Sequence, residues 1–113
     1  MSKINVSVSK PAARDYGKLT KNAQKAFRTY VEETLKKGEY SSLETERFKS
    51  VHTSVVEVKV KDRPAGRMFY TTLLDGHIEI LAFANKSRNG QDPQIKAIVE
   101  KRFKAFKAAH GIH

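Results

Sequence analysis

The side chains best suited to chemistry in this sequence are cations on predicted strands and in the loop that follows them. They are Lys59, Lys61, Arg67, Lys86 and Arg88. Lys59 and Lys61 alternate along one predicted strand, so they share a face and lie about 7 Å apart. Arginine binds phosphate through forked hydrogen bonds and lysine through a compact charge. The cluster predicts a phosphate-binding site, although Lys59 and Lys61 alone would equally suit a solvated strand face that resists aggregation.

Histidines are the other candidates, and their spacing matches no metal-binding motif. They are His52, His77, His110 and His113. Gly111 interrupts the i, i+3 pair of His110 and His113, and no cysteine or carboxylate partner lies nearby in the sequence. We therefore expect no bound metal and no cofactor. His110 is a candidate catalytic group, because it ends a helix that could fold back over the sheet and histidine titrates near neutral pH. A frayed, inert terminus is the alternative.

Other familiar catalytic patterns do not occur in the sequence. It has no nucleotide-binding glycine loop, no Ser-His-Asp order of a known motif, and no carboxylate pair suited to acid–base work. Glu57 and Glu79 alternate with apolar residues and are predicted to face solvent. Catalysis would therefore depend on Lys, Arg and His side chains.

Composition narrows the class of protein. The 113 residues suffice for one domain, assigned to residues 1–113, and the net charge of +10 indicates an anionic partner, with nucleic acid as the leading candidate. A merely soluble basic protein is the alternative. The absence of cysteine excludes disulfides and fits a reducing compartment. No apolar run approaches the roughly 20 residues of a membrane span, and the start lacks a secretory signal, so we expect a cytoplasmic protein with no membrane contact.

The elements that must position these residues can be read from hydrophobic periodicity. Residues 4–8 alternate as a strand, and Ser9 and Thr20 are suited to cap two helices, the second of which can end at Gly38. The polar segment 39–50 is predicted to be an irregular connection. The apolar stripes of the two helices predict an antiparallel helical hairpin.

From Ser54 the hydrophobic period changes to two, which predicts three strands of an antiparallel meander. Turn residues at 63–66 and the pair Asp75-Gly76 separate these strands. Asp92-Pro93 can start a last helix that ends near Gly111. The predicted fold is α+β, with an N-terminal strand and helical hairpin, an antiparallel β-meander and a C-terminal helix, in the order β-α-α-β-β-β-α.

Four segments of the meander and last helix carry a family resemblance. They read Val56-Glu57-Val58-Lys59-Val60, then Gly66-Arg67-Met68-Phe69-Tyr70, then Ile80-Leu81-Ala82-Phe83-Ala84-Asn85-Lys86, then Pro93-Gln94-Ile95. In this order and spacing they resemble the RelE/ParE superfamily of toxins, and are most similar to its HigB-like, phage-derived branch. The resemblance covers about residues 50–105 and implies a RelE-like fold.

The resemblance also implies a function. It points to a bacterial or phage toxin of a type II toxin–antitoxin system, a ribosome-dependent mRNA endonuclease that inhibits translation and is neutralised by a cognate antitoxin. The implied partners are the antitoxin, the ribosome and mRNA. By position, Lys59 and Lys61 match the basic strand residues of the family, Arg67 its phosphate-binding arginine, and Lys86 the first residue of its basic pair.

The sequence departs from the family pattern at three places. Val56 replaces the usual aromatic residue, Ser87 replaces the second basic residue of the pair, and the last helix has no matching tyrosine. Arg88 is the candidate substitute for the lost cation, and His110 for the missing terminal group. A ParE-like inhibitor of DNA gyrase that acts by binding, and a non-toxic nucleic-acid-binding module, are the alternative functions.

The implied mechanism is metal-free. A base takes the proton of the ribose 2′-OH, cations stabilise the phosphorane, and an acid protonates the departing 5′-oxygen. Repulsion between Lys59 and Lys61 is expected to lower the pKa of one of them, as a base requires. Alternation along its strand puts Arg67 on the face away from Met68 and Tyr70, where pairing across the hairpin can bring it near Lys59 and Lys61. It is expected to act as an electrostatic clamp, so that Arg67→Ala should impair activity and leave the melting temperature nearly unchanged. The alternative is an ordinary cross-strand ion pair of Arg67 with Glu57 or Glu79.

Overall fold

A computed structural model of the chain describes residues 4–61, 65–86 and 93–112. The elements are β1 (Asn5–Val8), α1 (Lys10–Tyr16), α2 (Lys21–Thr29) with a π-helical continuation (Tyr30–Leu35), β2 (Glu44–Arg47), β3 (Val55–Val60), β4 (Ala65–Thr71), β5 (His77–Lys86) and α3 (Pro93–Ala109). Within the described ranges, no helix is both long and apolar enough to cross a membrane. The predicted α+β class is confirmed.

The helical hairpin forms because each helix begins after a residue that caps it. Ser9 Oγ accepts a hydrogen bond from the backbone N–H of Ala12 at 3.3 Å, and Thr20 Oγ1 accepts one from Ala23 at 3.1 Å. Such caps typically stabilise a helix by about 1 kcal/mol each. Gly38 then has a φ of +74°, a left-handed conformation that glycine adopts without strain. The predicted caps and the predicted end of the hairpin are confirmed.

In the described part of the chain, the strands form one five-stranded sheet in the order β1-β5-β4-β3-β2. β1 pairs with β5 in parallel, and the other pairings are antiparallel. The meander of β3, β4 and β5 is confirmed. The irregular connection predicted over residues 39–50 is wrong in part, because β2 lies within it. All four residues of this edge strand are exposed, so it has no buried face and no hydrophobic alternation that could reveal it.

Helices cover both faces of the sheet and create two cores. The face toward α1 and α2 buries Val58, Val60, Met68, Tyr70, Ile80 and Phe83 together with Phe27 of α2. The face toward α3 buries Val55, Phe69 and Leu81 together with Ile95, Val99, Phe103 and Phe106 of α3. Each fully buried side chain of this size contributes roughly 1.5–3 kcal/mol. The alternation predicted for β3 and β4 is confirmed, and it assigns their charged residues to the face that α3 shares.

Gly66 allows α2 to approach the sheet closely. It is buried within β4, and a Cβ placed on it would lie 3.1 Å from Ala23 Cβ and 3.1 Å from Phe27 Cε2. The predicted turn over 63–66 is therefore wrong for its last two residues, because Ala65 and Gly66 belong to β4. Arg63 and Pro64 lie outside the described residues. The glycine is required by packing against the helix.

Candidate functional site

A row of charged residues crosses one face of the sheet. Glu44 of β2 lies opposite Lys59 of β3, which lies opposite Arg67 of β4. In the next row, Glu46 lies opposite Glu57. Residues opposite each other on antiparallel strands share a face, with Cα atoms about 4.5–5.5 Å apart. The predicted proximity of Lys59 and Arg67 is confirmed, but three carboxylates share their face.

Arg67 is buried and ion-paired. Its Nε donates a hydrogen bond to Oε2 of Glu57, and the two side chains are only 8% and 5% exposed. The guanidinium carbon also lies 5.3 Å from the centre of the Phe69 ring, within the range of a cation–π contact. The prediction that Glu57 faces solvent is wrong, because Glu57 is buried on the sheet face whose core includes residues of α3. Strand alternation does not show which face of a sheet is covered. The charge of Arg67 is therefore balanced within the protein.

Lys59 is held as a cation by a neighbouring carboxylate. Its Nζ donates a hydrogen bond to Oε2 of Glu46 at 3.0 Å. That hydrogen bond, aided by the charge of Glu57, raises the pKa of Lys59 above its ordinary value, although partial burial acts in the opposite direction. The expectation of a lowered lysine pKa is therefore wrong for Lys59. A protonated Lys59 can stabilise a phosphorane or donate a proton, but it cannot serve as the base.

The other predicted cations are described only in part. Lys61 follows the end of β3 and is exposed. Lys86 is the last residue of β5 and lies opposite Ala65 in the sheet. The side chain of Lys86 and the whole of Arg88 lie outside the described residues, so their predicted contact with RNA stays a prediction.

His110 lies at the opposite end of the sheet. Its ring centre is 5.8 Å from that of His77, the first residue of β5. Arg67 lies opposite Ala84, which is seven residues further along β5 and therefore about 23 Å away. The last helix does fold back over the sheet, as predicted. His110 nevertheless lies too far from Arg67 to share one site with it.

His110 instead forms a second cluster with His77 and Glu79. One nitrogen or oxygen atom from each of the three side chains lies within 4.8 Å of the others. Nε2 of His77 is 3.8 Å from Oε1 of Glu79, and Ser7 Oγ on β1 donates a hydrogen bond to that carboxylate oxygen at 2.9 Å. Spacing along the sequence did not indicate this cluster, because Glu79 and His110 belong to a strand and a helix that meet only in the folded chain.

The fold is similar to solved structures of RelE toxins. A variant of the E. coli toxin RelE in the free state gives a TM-score of 0.64 at 11% sequence identity, covering 88% of this chain and 97% of that one. The RelBE2 toxin–antitoxin complex from Mycobacterium tuberculosis gives 0.51 at 17% identity, covering 78% and 97%. Isolated E. coli RelE gives 0.51 at 14% identity, covering 88% and 98%. The sequence matches no protein-family model and no curated protein.

This chain has a RelE-like fold.

On the RelE-like sheet, sequence reasoning missed the acidic half of the site. Glu44 and Glu46 lie on the edge strand β2, beside Lys59 on the neighbouring strand. The alternation of Glu44-Thr45-Glu46-Arg47 was a usable signal, since period two holds there for acidic residues. Because the segment has no apolar face, its sequence predicts a connection and not a strand. The acidic residues make this face a set of ion pairs and not a uniformly positive surface.

Proposed function

We propose that this RelE-like chain is the toxin of a type II toxin–antitoxin system and that a cognate antitoxin restrains it. The observation that carries the proposal is the similarity of fold over 88% of this chain and 97% of a RelE chain. One of the similar structures is a toxin–antitoxin complex, which supports a protein partner for this chain. Because one fold hosts many activities, the target must be argued from the side chains of the site.

Within this proposal the chain is of the HigB-like, phage-derived type and cleaves mRNA on the ribosome in the cytoplasm. Lys59 is the central residue, because it is the partly exposed cation of the charged row. As a protonated amine, it would stabilise the phosphorane or protonate the departing 5′-oxygen. Lys61, Lys86 and Arg88 would bind the RNA backbone.

The base must then be another group. Glu46 presents an exposed carboxylate next to Lys59, and a carboxylate there can accept the proton of a ribose 2′-OH. Arg67 would contact a phosphate only by exchanging its partner Glu57 for the RNA, since its guanidinium is buried against that carboxylate. No metal takes part in the proposed reaction. His110 is not included, because it lies at the far end of the sheet.

Ribosome-dependent cleavage tests the proposal directly. Purified chain is added to translating ribosomes, and mRNA breaks are mapped by primer extension. Wild type should cleave within codons and should stop growth when expressed. Lys59→Ala should lower cleavage by roughly 100-fold or more, as expected for loss of one preorganised charge at the transition state.

The matched control is Lys36→Ala. Lys36 is also a lysine ion-paired with a glutamate, Glu32, at 2.9 Å, but it lies on the helical hairpin. Its replacement should leave cleavage and toxicity unchanged. Wild-type chain that neither cleaves mRNA on ribosomes nor slows growth would refute the endonuclease.

One observation favours a second candidate function. The cations of the sheet face are paired with carboxylates, which suits a protein-binding surface as well as a nuclease site. A ParE-like inhibitor of DNA gyrase would need no nuclease chemistry. Inhibition of supercoiling by purified gyrase, with intact mRNA on ribosomes, would favour this candidate. Absence of toxicity together with salt-dependent RNA binding would favour a non-toxic nucleic-acid-binding module.

A further inference from the structure

The cluster of His77, Glu79 and His110 has the donor set of a transition-metal site. Two imidazoles and one carboxylate are the ligands of many three-residue zinc and iron sites, which leave one or more positions for water. His77 and Glu79 lie at the start of β5, and His110 lies one residue beyond the end of α3. They lie away from the charged row that carries the proposed nuclease chemistry.

The distances fit a metal after a small adjustment. Ligand atoms of a tetrahedral zinc site lie about 3.4 Å from one another, given metal–ligand bonds of about 2.0–2.2 Å. Here Nε2 of His77 and Oε1 of Glu79 are 3.8 Å apart, and all three donor atoms lie within 4.8 Å of one another. His110 is exposed and follows the last residue of α3, so a change in its side-chain torsions can close the remaining distance of up to about 1.4 Å.

Neighbouring residues already orient two of the three ligands. Ser7 Oγ donates a hydrogen bond to Oε1 of Glu79 at 2.9 Å, which holds the carboxylate in place. The same oxygen lies 3.2 Å from Nε2 of His77, and this nitrogen would exchange the serine for the ion. The Phe106 ring is stacked on the His77 ring, with 6.3 Å between the ring centres. Its centre lies 4.7 Å from that of the His110 ring. Polar contacts that hold ligands and an apolar wall that limits water are the two features that typically support a metal site.

We propose that His77, Glu79 and His110 bind one divalent transition-metal ion, with Zn²⁺ as the ion best suited to the donor set. Because the ligands come from β5 and α3, the ion would join the end of the last helix to the edge of the sheet that contains β1. Because the ion would bind the folded chain and not the unfolded chain, it would stabilise the folded state by mass action. The inference does not depend on the proposed toxin function.

Titration of the untagged full chain with Zn²⁺ tests the site. Isothermal titration calorimetry should show one ion per chain, and saturating Zn²⁺ should raise the midpoint of thermal unfolding by several degrees. Co²⁺ in place of Zn²⁺ should give the visible absorption of a four- or five-coordinate site. His77→Ala and His110→Ala should each weaken Zn²⁺ binding by about 100-fold or more, and Ser7→Ala by about 10-fold or more.

The matched control is His52→Ala. The His52 ring packs near Phe103 and its Nδ1 lies 2.8 Å from Ser54 Oγ, outside the proposed site. Its replacement should leave Zn²⁺ affinity unchanged. Because His110 is exposed, the His110→Ala variant should fold normally, and circular dichroism checks this. No Zn²⁺ binding by wild type, or binding that survives His110→Ala in a folded chain, would overturn the proposal and leave an ordinary histidine–glutamate contact.

Discussion

Arg67 of β4 and Glu57 of the neighbouring strand β3 form a buried ion pair on one face of the sheet. Nε of Arg67 donates to Oε2 of Glu57, and both side chains are almost completely removed from solvent. The two residues are diagonal neighbours, because Arg67 lies opposite Lys59 and Glu57 lies opposite Phe69. A buried pair of this kind matters strongly to folding when one partner is lost. The residue predicted as a phosphate clamp is therefore also a structural residue.

Replacing one partner of the pair should destabilise the protein. We expect Arg67→Ala to lower the free energy of unfolding by roughly 3–5 kcal/mol, because Glu57 would be left buried without a counter-charge. This replaces the expectation from the sequence of a nearly unchanged melting temperature. Urea denaturation followed by circular dichroism measures the change.

The double variant Arg67→Met with Glu57→Leu is the control for this first prediction. Removing both charges should cost much less than removing Arg67 alone, since no unpaired charge remains. If the two single losses simply add in the double variant, the pair is not coupled as the structure indicates.

Lys59 should remain a cation at every pH at which the protein is tested for activity. Its pKa is raised above 10.5 by the hydrogen bond with Glu46. The stability that this shift contributes is fully present below about pH 10.5 and is lost as the pH rises through the raised pKa. NMR titration of ¹³C-methylated lysines should show the Lys59 signal changing above pH 10.5, and later than in the Glu46→Gln variant. A Lys59 that titrates below pH 9 would restore it as a candidate base.

Tyr70 should make the protein sensitive to alkali. Burial, and then the hydrogen bond with Tyr30 at 3.3 Å, raise the pKa of Tyr70 well above its ordinary 10.0. Above pH 10 the unfolded chain therefore loses this proton more readily than the folded chain, so stability falls as the pH rises. Tyr70→Phe should cost about 1 kcal/mol at pH 7 and reduce the fall between pH 9 and 11. Equal slopes in wild type and variant, measured by urea denaturation, would contradict this assignment.

Arg102 and Asp15 should stabilise the part of β5 that follows its pairing with β1. That pairing ends at Val8 and Ile80, and side chains supply hydrogen bonds to the β5 backbone beyond it. Nη1 of Arg102 donates hydrogen bonds to the Leu81 carbonyl at 3.0 Å and to Oδ2 of Asp15 at 2.6 Å. That oxygen also accepts from the Phe83 N–H at 3.4 Å. Because charged hydrogen bonds to the backbone would be lost, we expect Arg102→Ala to reduce the free energy of unfolding by roughly 1.5–3 kcal/mol.

The control for Arg102 lies on the same helix. Lys104 is exposed and forms an i, i+4 pair with Glu100 at 3.5 Å, so Lys104→Ala should change stability by less than about 0.5 kcal/mol. Similar losses in both variants would show that Arg102 contributes only as a helix residue.

RNA binding should weaken steeply with salt, because the net charge is +10. If the chain neutralises about four phosphates of single-stranded RNA, the Kd should rise by roughly 50-fold between 50 and 200 mM salt. Fluorescence anisotropy with a labelled RNA measures the slope. Affinity that is independent of salt over this range would remove the polyanion as a ligand.

Local patterns were sufficient to predict most of the elements. The caps at Ser9 and Thr20, the end at Gly38 and the alternation of β3 and β4 each depend on residues within a few positions of one another. The order of elements follows from them, with the exception of β2. Lys59 and Arg67 were correctly expected on one face, since strand alternation and a short turn determine it.

Only the tertiary structure decided what surrounds those residues. Glu57 and Arg67 are buried on the sheet face whose core also contains residues of α3, a helix that begins more than 25 residues further along the chain. The pairing of Lys59 with Glu46 depends on β2, an edge strand whose polar sequence carries no hydrophobic period. His110 meets His77 and Glu79 only because the last helix returns over the sheet. Periodicity reports which side chains share a face, whereas pKa, burial and ligand geometry depend on contacts between elements far apart in the sequence.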